Sequence, residues 1–281
     1  MNSLKTVFLL GLLSSILLVG GRAIAGEQGL ILGLVLALVM NFASYFFSEK
    51  IALSMYQAQP VSPSENPHIW ARIGPMTQEL CRRMELPMPR LWVIPEHSPN
   101  AFATGRNPQH SSVAVTAGIL ELMDDREVAG VIAHELGHVK NRDILVSSIA
   151  AMIGAAISSV AHLGFFFGGR HSDDEEGGSS PVAAILMMMV APIAAMVIQM
   201  AISRTREFGA DAAAAKYTGS PDGLMSALRK LETWKERIPM EASPATAHMF
   251  IIPPSIGGFL AGLFSTHPRT EDRIAALSRL R

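Results

Sequence analysis

His134-Glu135-Leu136-Gly137-His138 sets two imidazoles four positions apart, with a carboxylate directly after the first. On an α-helix, residues i and i+4 stand on one face, so both rings can grip a single ion while Glu135 reaches a water on it. Zinc lowers the pKa of such a water to about 7, and a neighbouring carboxylate can take its proton and pass it to a leaving amine. That is the chemistry of peptide-bond hydrolysis. Chance alone would place an H-E-x-x-H in a chain of this composition about 1–2% of the time, so its surroundings must carry weight too. A catalytic zinc needs a third protein ligand and an open position. The stretch Ser203-Arg204-Thr205-Arg206-Glu207-Phe208-Gly209-Ala210-Asp211 offers a second i, i+4 pair, Glu207 and Asp211. Glu207 can ligate the metal, and Asp211 can accept a hydrogen bond from a ligand imidazole and fix its orientation. The competing reading has both carboxylates facing solvent, paired with Arg204 or Arg206.

The elements that must position these groups are largely apolar. Hydrophobic residues make up 49% of the 281-residue chain and charged residues 17%, and the excess is clustered. Four runs, 6–21, 29–47, 144–168 and 181–202, contain no Asp, Glu, Lys or Arg. A bilayer-spanning helix needs about 20 apolar residues, with a lower limit near 17; the last three runs meet it and the first is marginal. Small residues in the third run (Ser147, Ser148, Gly154, Ser158) suit close helix packing in lipid. The first run has a second reading as a signal peptide cleaved near Ala23-Ile24-Ala25, although the span directly after it favours a helical hairpin. Lys5, Lys50, Lys140, Arg142, Arg204 and Arg206 flank the spans on one side. The opposite loops carry Arg22 with Glu27, and Arg170 with the acidic run Asp173-Asp174-Glu175-Glu176. Cationic flanks favour the cytoplasm, so both termini and the aqueous segments are expected there.

The expected organisation is a transmembrane hairpin over 1–48, a first part of an aqueous domain over 49–143, a second hairpin over 144–202, and the rest of the domain over 203–281. Helical spacing covers 67–86, 124–142, 204–217 and 222–235, with short strands at 91–94 and 112–116. The fold class is α+β: mainly α with a small β-sheet, four membrane helices, and a cytoplasmic domain interrupted by the second hairpin. The net charge of −1 gives no basic excess for nucleic acid. The single cysteine, Cys81, can form neither an intramolecular disulfide nor a cysteine zinc site, and reads as a buried small hydrophobe.

The two motifs, the four runs and their order resemble the HtpX-type membrane zinc endopeptidases, relatives of the CAAX prenyl-protein endopeptidases. The likeness covers nearly the whole chain. H-E-x-x-H is weakly specific; Ser-Arg-x-x-Glu-Phe-x-Ala-Asp after a membrane hairpin is much more so. The resemblance implies a zincin-like domain with one Zn²⁺ per chain, Glu207 as third ligand in the manner of thermolysin-like proteases, and Glu135 as general base. It also implies a bacterial inner-membrane location and a role in cleaving misfolded or damaged membrane proteins beside other quality-control proteases. Asn100-Ala101-Phe102-Ala103-Thr104-Gly105 is similar to the family's edge strand beside the active site, which can pair with an extended substrate; its plain alternative is a surface loop. Ser265-Thr266-His267-Pro268 and Arg273 also match, and His267 and Arg273 would then lie near the metal to stabilise an oxyanion. His267 as a cap or packed histidine is the alternative there. Two rival classes stand against hydrolysis. A membrane scaffold with an accidental motif predicts no stoichiometric zinc. A transporter is disfavoured because no span carries a charged residue.

Overall fold

The computed structural model describes residues 2–150, 204–235, 251 and 268–281. The first element, α1, runs Asn2–Met55, yet it cannot be a straight rod. At 1.5 Å per residue, positions 14 and 41 of one would stand about 40 Å apart. Instead Asn41 Nδ2 donates to Ser14 Oγ at 2.8 Å. The reversal is at Gly26, whose φ of 61° lies in the left-handed region that glycine enters without penalty. Past the turn the arms close tightly: a Cβ on Gly33 would come within 2.4 Å of the Leu17 carbonyl oxygen. The N-terminal segment is thus an antiparallel helical hairpin. Its return arm, Gly26–Met55, is 30 residues long with a mean hydropathy of 2.2, long and apolar enough to cross a membrane, and 17% of that apolar stretch is buried within the protein. The outgoing arm is a shorter apolar helix over Leu4–Val19. Among the described residues Gly26–Met55 alone meets the length and hydropathy of a span. The third run from 151 onward and the whole of the fourth lie outside the described residues.

A four-stranded mixed sheet follows, built from β1 (Gln59–Val61), β2 (Arg90–Ile94), β3 (Ala101–Asn107) and β4 (His110–Thr116) in the order β1-β2-β4-β3. β2 and β4 are parallel, and the outer pairs are antiparallel. Both strands expected from the sequence form the centre of the sheet. The 100–105 segment lies on an edge strand, since β3 pairs with β4 on one side only. The sheet is tied to α1 by Phe102, fully buried among Ala52, Leu53, Ile94 and Ala114.

The helices are α2 (Pro67–Met84), α3 (Ala117–Leu122), α4 (Asp125–Lys140), α5 (Arg204–Thr218), α6 (Asp222–Lys235) and α7 (Thr270–Ser278). The boundaries of α4, α5 and α6 fall within two residues of those read from periodicity. α1, α3, α7 and β1 complete the described elements. α4 is the central helix, packed by α2, α5, α6 and β3. Its interior is apolar nearly all round (Val128, Val131, Ile132, Ala133, Leu136 and Val139 are buried), as a core helix must be. Asp124 caps it, accepting from the Arg126 and Glu127 backbone N–H groups, while Glu127 reaches back to the Asp124 N–H, a reciprocal box that stabilises a helix start by about 1 kcal/mol. Glu127 also accepts from Ser226 Oγ and Lys230 Nζ, both at 2.6 Å, which fixes α6 against the start of α4. Burial would raise that carboxyl, but Lys230 and Ser226 outweigh it and hold Glu127 below the ordinary carboxylate range. Cys81 is buried in the same core, and burial pushes its thiol up to about 11, so it is unreactive.

Beyond α4 the chain turns through Asp143 and enters a helical stretch over 144–150. Val146, Ile149 and Ala150 pack on Leu9 and Leu13 of the outgoing arm of α1. The end of α4 is therefore set directly against the membrane-type hairpin.

Candidate metal centre and active site

The last two turns of α4 carry His134 and His138, and the first turn of α5 carries Glu207. Their donor atoms all lie within 4.8 Å of one another. The two Nε2 atoms are 3.3 Å apart, and Glu207 reaches His134 Nε2 at 3.6 Å and His138 Nε2 at 3.5 Å. A tetrahedral ion with metal–ligand bonds near 2.0–2.1 Å has ligand atoms about 3.3–3.4 Å apart. The two nitrogens have that spacing, and Glu207 offers Oε2 to the first and Oε1 to the second at a similar distance.

The outward ring nitrogens fix which atoms face the triangle. His134 Nδ1 lies 2.9 Å from Asp211 Oδ1, one helical turn after Glu207 on α5. His138 Nδ1 lies 3.3 Å from Asp143 Oδ2. With each Nδ1–H given to a carboxylate, each Nε2 presents its lone pair inward. His134 is buried completely, and burial first, with the Arg273 charge, lowers its pKa against the pull of Asp211. Burial thus favours the neutral ring, the form that binds a metal; at His138 burial acts the same way but Glu207 and Asp143 outweigh it and raise the ring's pKa. The donor set fits a divalent first-row metal.

The two helices that carry these groups meet at Gly137, inside the histidine motif. A Cβ there would stand 3.0 Å from Ala210 Cα and 3.3 Å from Ala210 Cβ. A side chain at position 137 would push α5 outward by a few tenths of an ångström, away from the approach that lets Glu207 reach both imidazoles and Asp211 reach His134.

Glu135 is 2% exposed. Burial is the chief cause that raises its carboxyl to about 7; His138 opposes this and Glu207 adds to it. Its carboxyl also accepts from the backbone N–H of Ala103 on β3. The same parity of β3 points the Ala101 carbonyl outward, where it accepts from the Ile251 N–H at 3.2 Å. Phe102 and Thr104 face the other way. Phe102 packs on α1, and Thr104 Oγ1 meets Ser148 Oγ at 2.9 Å. Asn100 is buried, its side-chain oxygen accepting from the Ala101 N–H. Gly105, with φ 131°, opens the β3–β4 hairpin.

Arg273 on α7 is 1% exposed and grips Asp211 with two bonds, Nε at 2.9 Å and Nη2 at 2.7 Å. Its Nη1 donates to the Ile251 carbonyl at 2.9 Å and stands 3.7 Å from Glu207 Oε2. Burial opposes the Asp211 charge, but Arg273 and His134 outweigh it and hold its carboxyl below the usual range. So Arg273 reaches the site chiefly through Asp211. His267 lies outside the described residues.

Asp143 was not singled out by spacing. It lies past the end of α4, and a carboxylate one turn beyond the second histidine is the signal that could have found it. It stands 3.9 Å from Arg206 Nη1 on α5 as well as beside His138. Asp143→Asn is expected to weaken metal affinity by about 10–100-fold, as loss of a partner to a ligand histidine does. Competition with a chromogenic chelator would measure it, and unchanged affinity would remove Asp143 from the support of His138.

Comparison with known proteins shows the family. Residues 67–281 match the model of peptidase family M48. The protein called "Protease HtpX homolog" from Desulforapulum autotrophicum is 51% identical over 279 residues, covering 98% of this chain and 89% of its own. A homologue of the same name from a Sulfurihydrogenibium species is 50% identical over 288 residues, covering 99% and 96%. The crystal structure of S. mikatae Ste24p is similar in fold, with a TM-score of 0.53 at 18% identity; the match covers 98% of this chain but 65% of that one. The chain belongs to peptidase family M48, as a metallopeptidase of the HtpX type.

Proposed function

We propose that the protein is a zinc-dependent endopeptidase that cuts damaged or misfolded membrane proteins at the cytoplasmic face of a bacterial inner membrane. The observation that carries this reading is the convergence of His134, His138 and Glu207 within 4.8 Å, with the buried Glu135 beside them. A bound zinc supplies Lewis-acid polarisation of the scissile carbonyl. The protein's own residues do the rest. His134 and His138 hold their tautomers through Asp211 and Asp143, and Arg273 positions Asp211. Glu135 takes a proton from the attacking water and returns it to the leaving amine. An extended substrate segment lies along the Asn100–Gly105 edge, the side of β3 that no strand covers among the described residues.

The membrane assignment rests on the α1 hairpin and on the HtpX-type relatives. We read the unplaced apolar runs as a second hairpin, giving four spans with both termini in the cytoplasm. The packing of 144–150 on Leu9 and Leu13 supports this, because it starts the third run alongside the first. On this reading the three candidate ligands lie near the membrane surface, where segments of membrane proteins are within reach.

The test is metal analysis of the purified full chain together with casein cleavage. One zinc per chain is expected, with cleavage abolished by a chelator and restored by zinc. A protein that binds no stoichiometric metal and is indifferent to the chelator would leave the scaffold reading in place.

A further inference from the structure

We propose that the cleft between the end of the α1 return arm and the β3–β4 hairpin binds the phosphate of an anionic phospholipid headgroup. The inference rests on the reading of Gly26–Met55 as a membrane span and is independent of the metal centre. The apolar stretch 29–47 is about 28 Å long as a helix, close to the roughly 30 Å hydrocarbon core of a bilayer. A cavity of about 100 Å³ opens at its far end, lined by Tyr45 and Phe46 on one side of that limit and Lys50 on the other. Holding one water takes about 10–15 Å³, so a headgroup phosphate has room. The cavity thus straddles the depth at which acyl chains give way to headgroups. Tyr and other aromatic residues favour that depth.

The charge of the cleft is one-sided. Glu49 is its one carboxylate, and that group is already taken by Arg90 Nη2 at 2.6 Å and by the Ser112 hydroxyl. Two cations remain. The Arg106 guanidinium lies 5.2 Å from the centre of the Phe46 ring, a stacking contact that leaves its N–H groups open to an acceptor. Among the described residues neither Arg106 nor Lys50 has a carboxylate in ion-pair reach. Arginine and lysine held together at a polar–apolar boundary suit a phosphate. A lipid fits better than a free anion because Phe46, which lines the cleft, is 46% exposed and its ring lies 4.6 Å from that of Phe42, which is 57% exposed and in turn contacts the exposed Phe47. Acyl chains can lie along those rings while the phosphate sits between Lys50 and Arg106.

The full metal-loaded chain in detergent would be offered equal amounts of phosphatidylglycerol and phosphatidylcholine and read by native mass spectrometry. One retained phosphatidylglycerol is expected, in preference to phosphatidylcholine. Lys50→Gln with Arg106→Gln should weaken that retention about thirtyfold, the scale of two cations beside an anionic membrane surface. The charge-keeping pair Lys50→Arg with Arg106→Lys, and the control pair Arg82→Gln with Arg83→Gln on α2, should retain it. An unchanged melting temperature in each variant certifies the fold. Equal retention of both lipids, persistence in the Lys50/Arg106 glutamine pair, or equal loss in the control pair would overturn the headgroup site. Displacement of the lipid by inorganic phosphate would overturn it in favour of a free-anion site. Retention of no lipid of either kind would overturn the span reading with it, while casein cleavage reports separately on the metal centre.

Discussion

Glu135→Gln is expected to lower casein cleavage by about 10²–10⁴-fold while one metal per chain stays bound. Glutamine has the shape of the carboxyl it replaces and can still accept from the Ala103 N–H, so the helix and the two histidines keep their places. What it cannot do is take a proton from water. The buried carboxyl makes a further demand on pH. Burial raises it from 4.5 to about 7 before any metal is bound. The base works ionised, so cleavage should rise with pH along an acid limb, and a bound cation moves that limb to lower pH. Without metal the sign for stability is the reverse of an ordinary salt-bridged carboxylate. The folded state holds a proton that the unfolded chain releases, so chelated protein loses stability as pH rises from about 4.5 to about 7 and is level above. The Gln variant lacks that loss and should melt higher than its parent at pH 8 in chelator. Undiminished casein cleavage by the metal-loaded variant would take Glu135 out of the mechanism.

Arg273→Met should be the most damaging change to the fold around the site. The Arg273 and Asp211 side chains are each 2% exposed, joined by two bonds. Removing the cation leaves Asp211 charged in a dry setting with only His134 to answer it. Breaking a buried pair in this way costs about 3–5 kcal/mol. The loss also strips the Ile251 carbonyl of its donor and frees Asp211 to turn from the His134 Nδ1, so metal affinity should fall with stability. Arg273→Lys returns the charge but not the two-pronged grip and should recover part of the melting temperature. Adding Asp211→Asn to Arg273→Met removes the stranded charge and should recover stability without recovering metal affinity. Thermal unfolding and metal titration on the three variants separate the two effects. A methionine variant with both properties intact would show that Asp211 needs no partner.

Much of the site was legible in the residues, because the chemistry uses short-range geometry. His134 and His138 share a face of a helix that the 3.6-residue period of 124–142 announces, and Glu207 and Asp211 repeat the same spacing on α5. The central strands were legible from Leu91-Trp92-Val93-Ile94 and the alternation over 112–116. What was not legible depends on contacts between distant segments. Asp143 looks like any charged residue after a helix until His138 is placed beside it. Arg273 stands 62 positions from the carboxylate it grips, so no local pattern gives its partner. β1 is three residues long and gains its identity by pairing with β2. The fold of α1 was half-visible: two apolar runs suggested a hairpin, but the Asn41–Ser14 bond and the bend at Gly26 are tertiary facts.

The close crossing at Gly137 also has a consequence in time. The histidines are made first, and the glutamate that completes the triangle follows 69 positions after His138, beyond the whole of the third and fourth apolar runs. When the two histidines have been made, the third member of the cluster is still missing. Hydrolytic competence must wait until the intervening chain has been synthesised and folded back to bring Ala210 against Gly137. The order of synthesis thus makes the three-residue cluster a late product of the chain, completed only after residue 207 has been added.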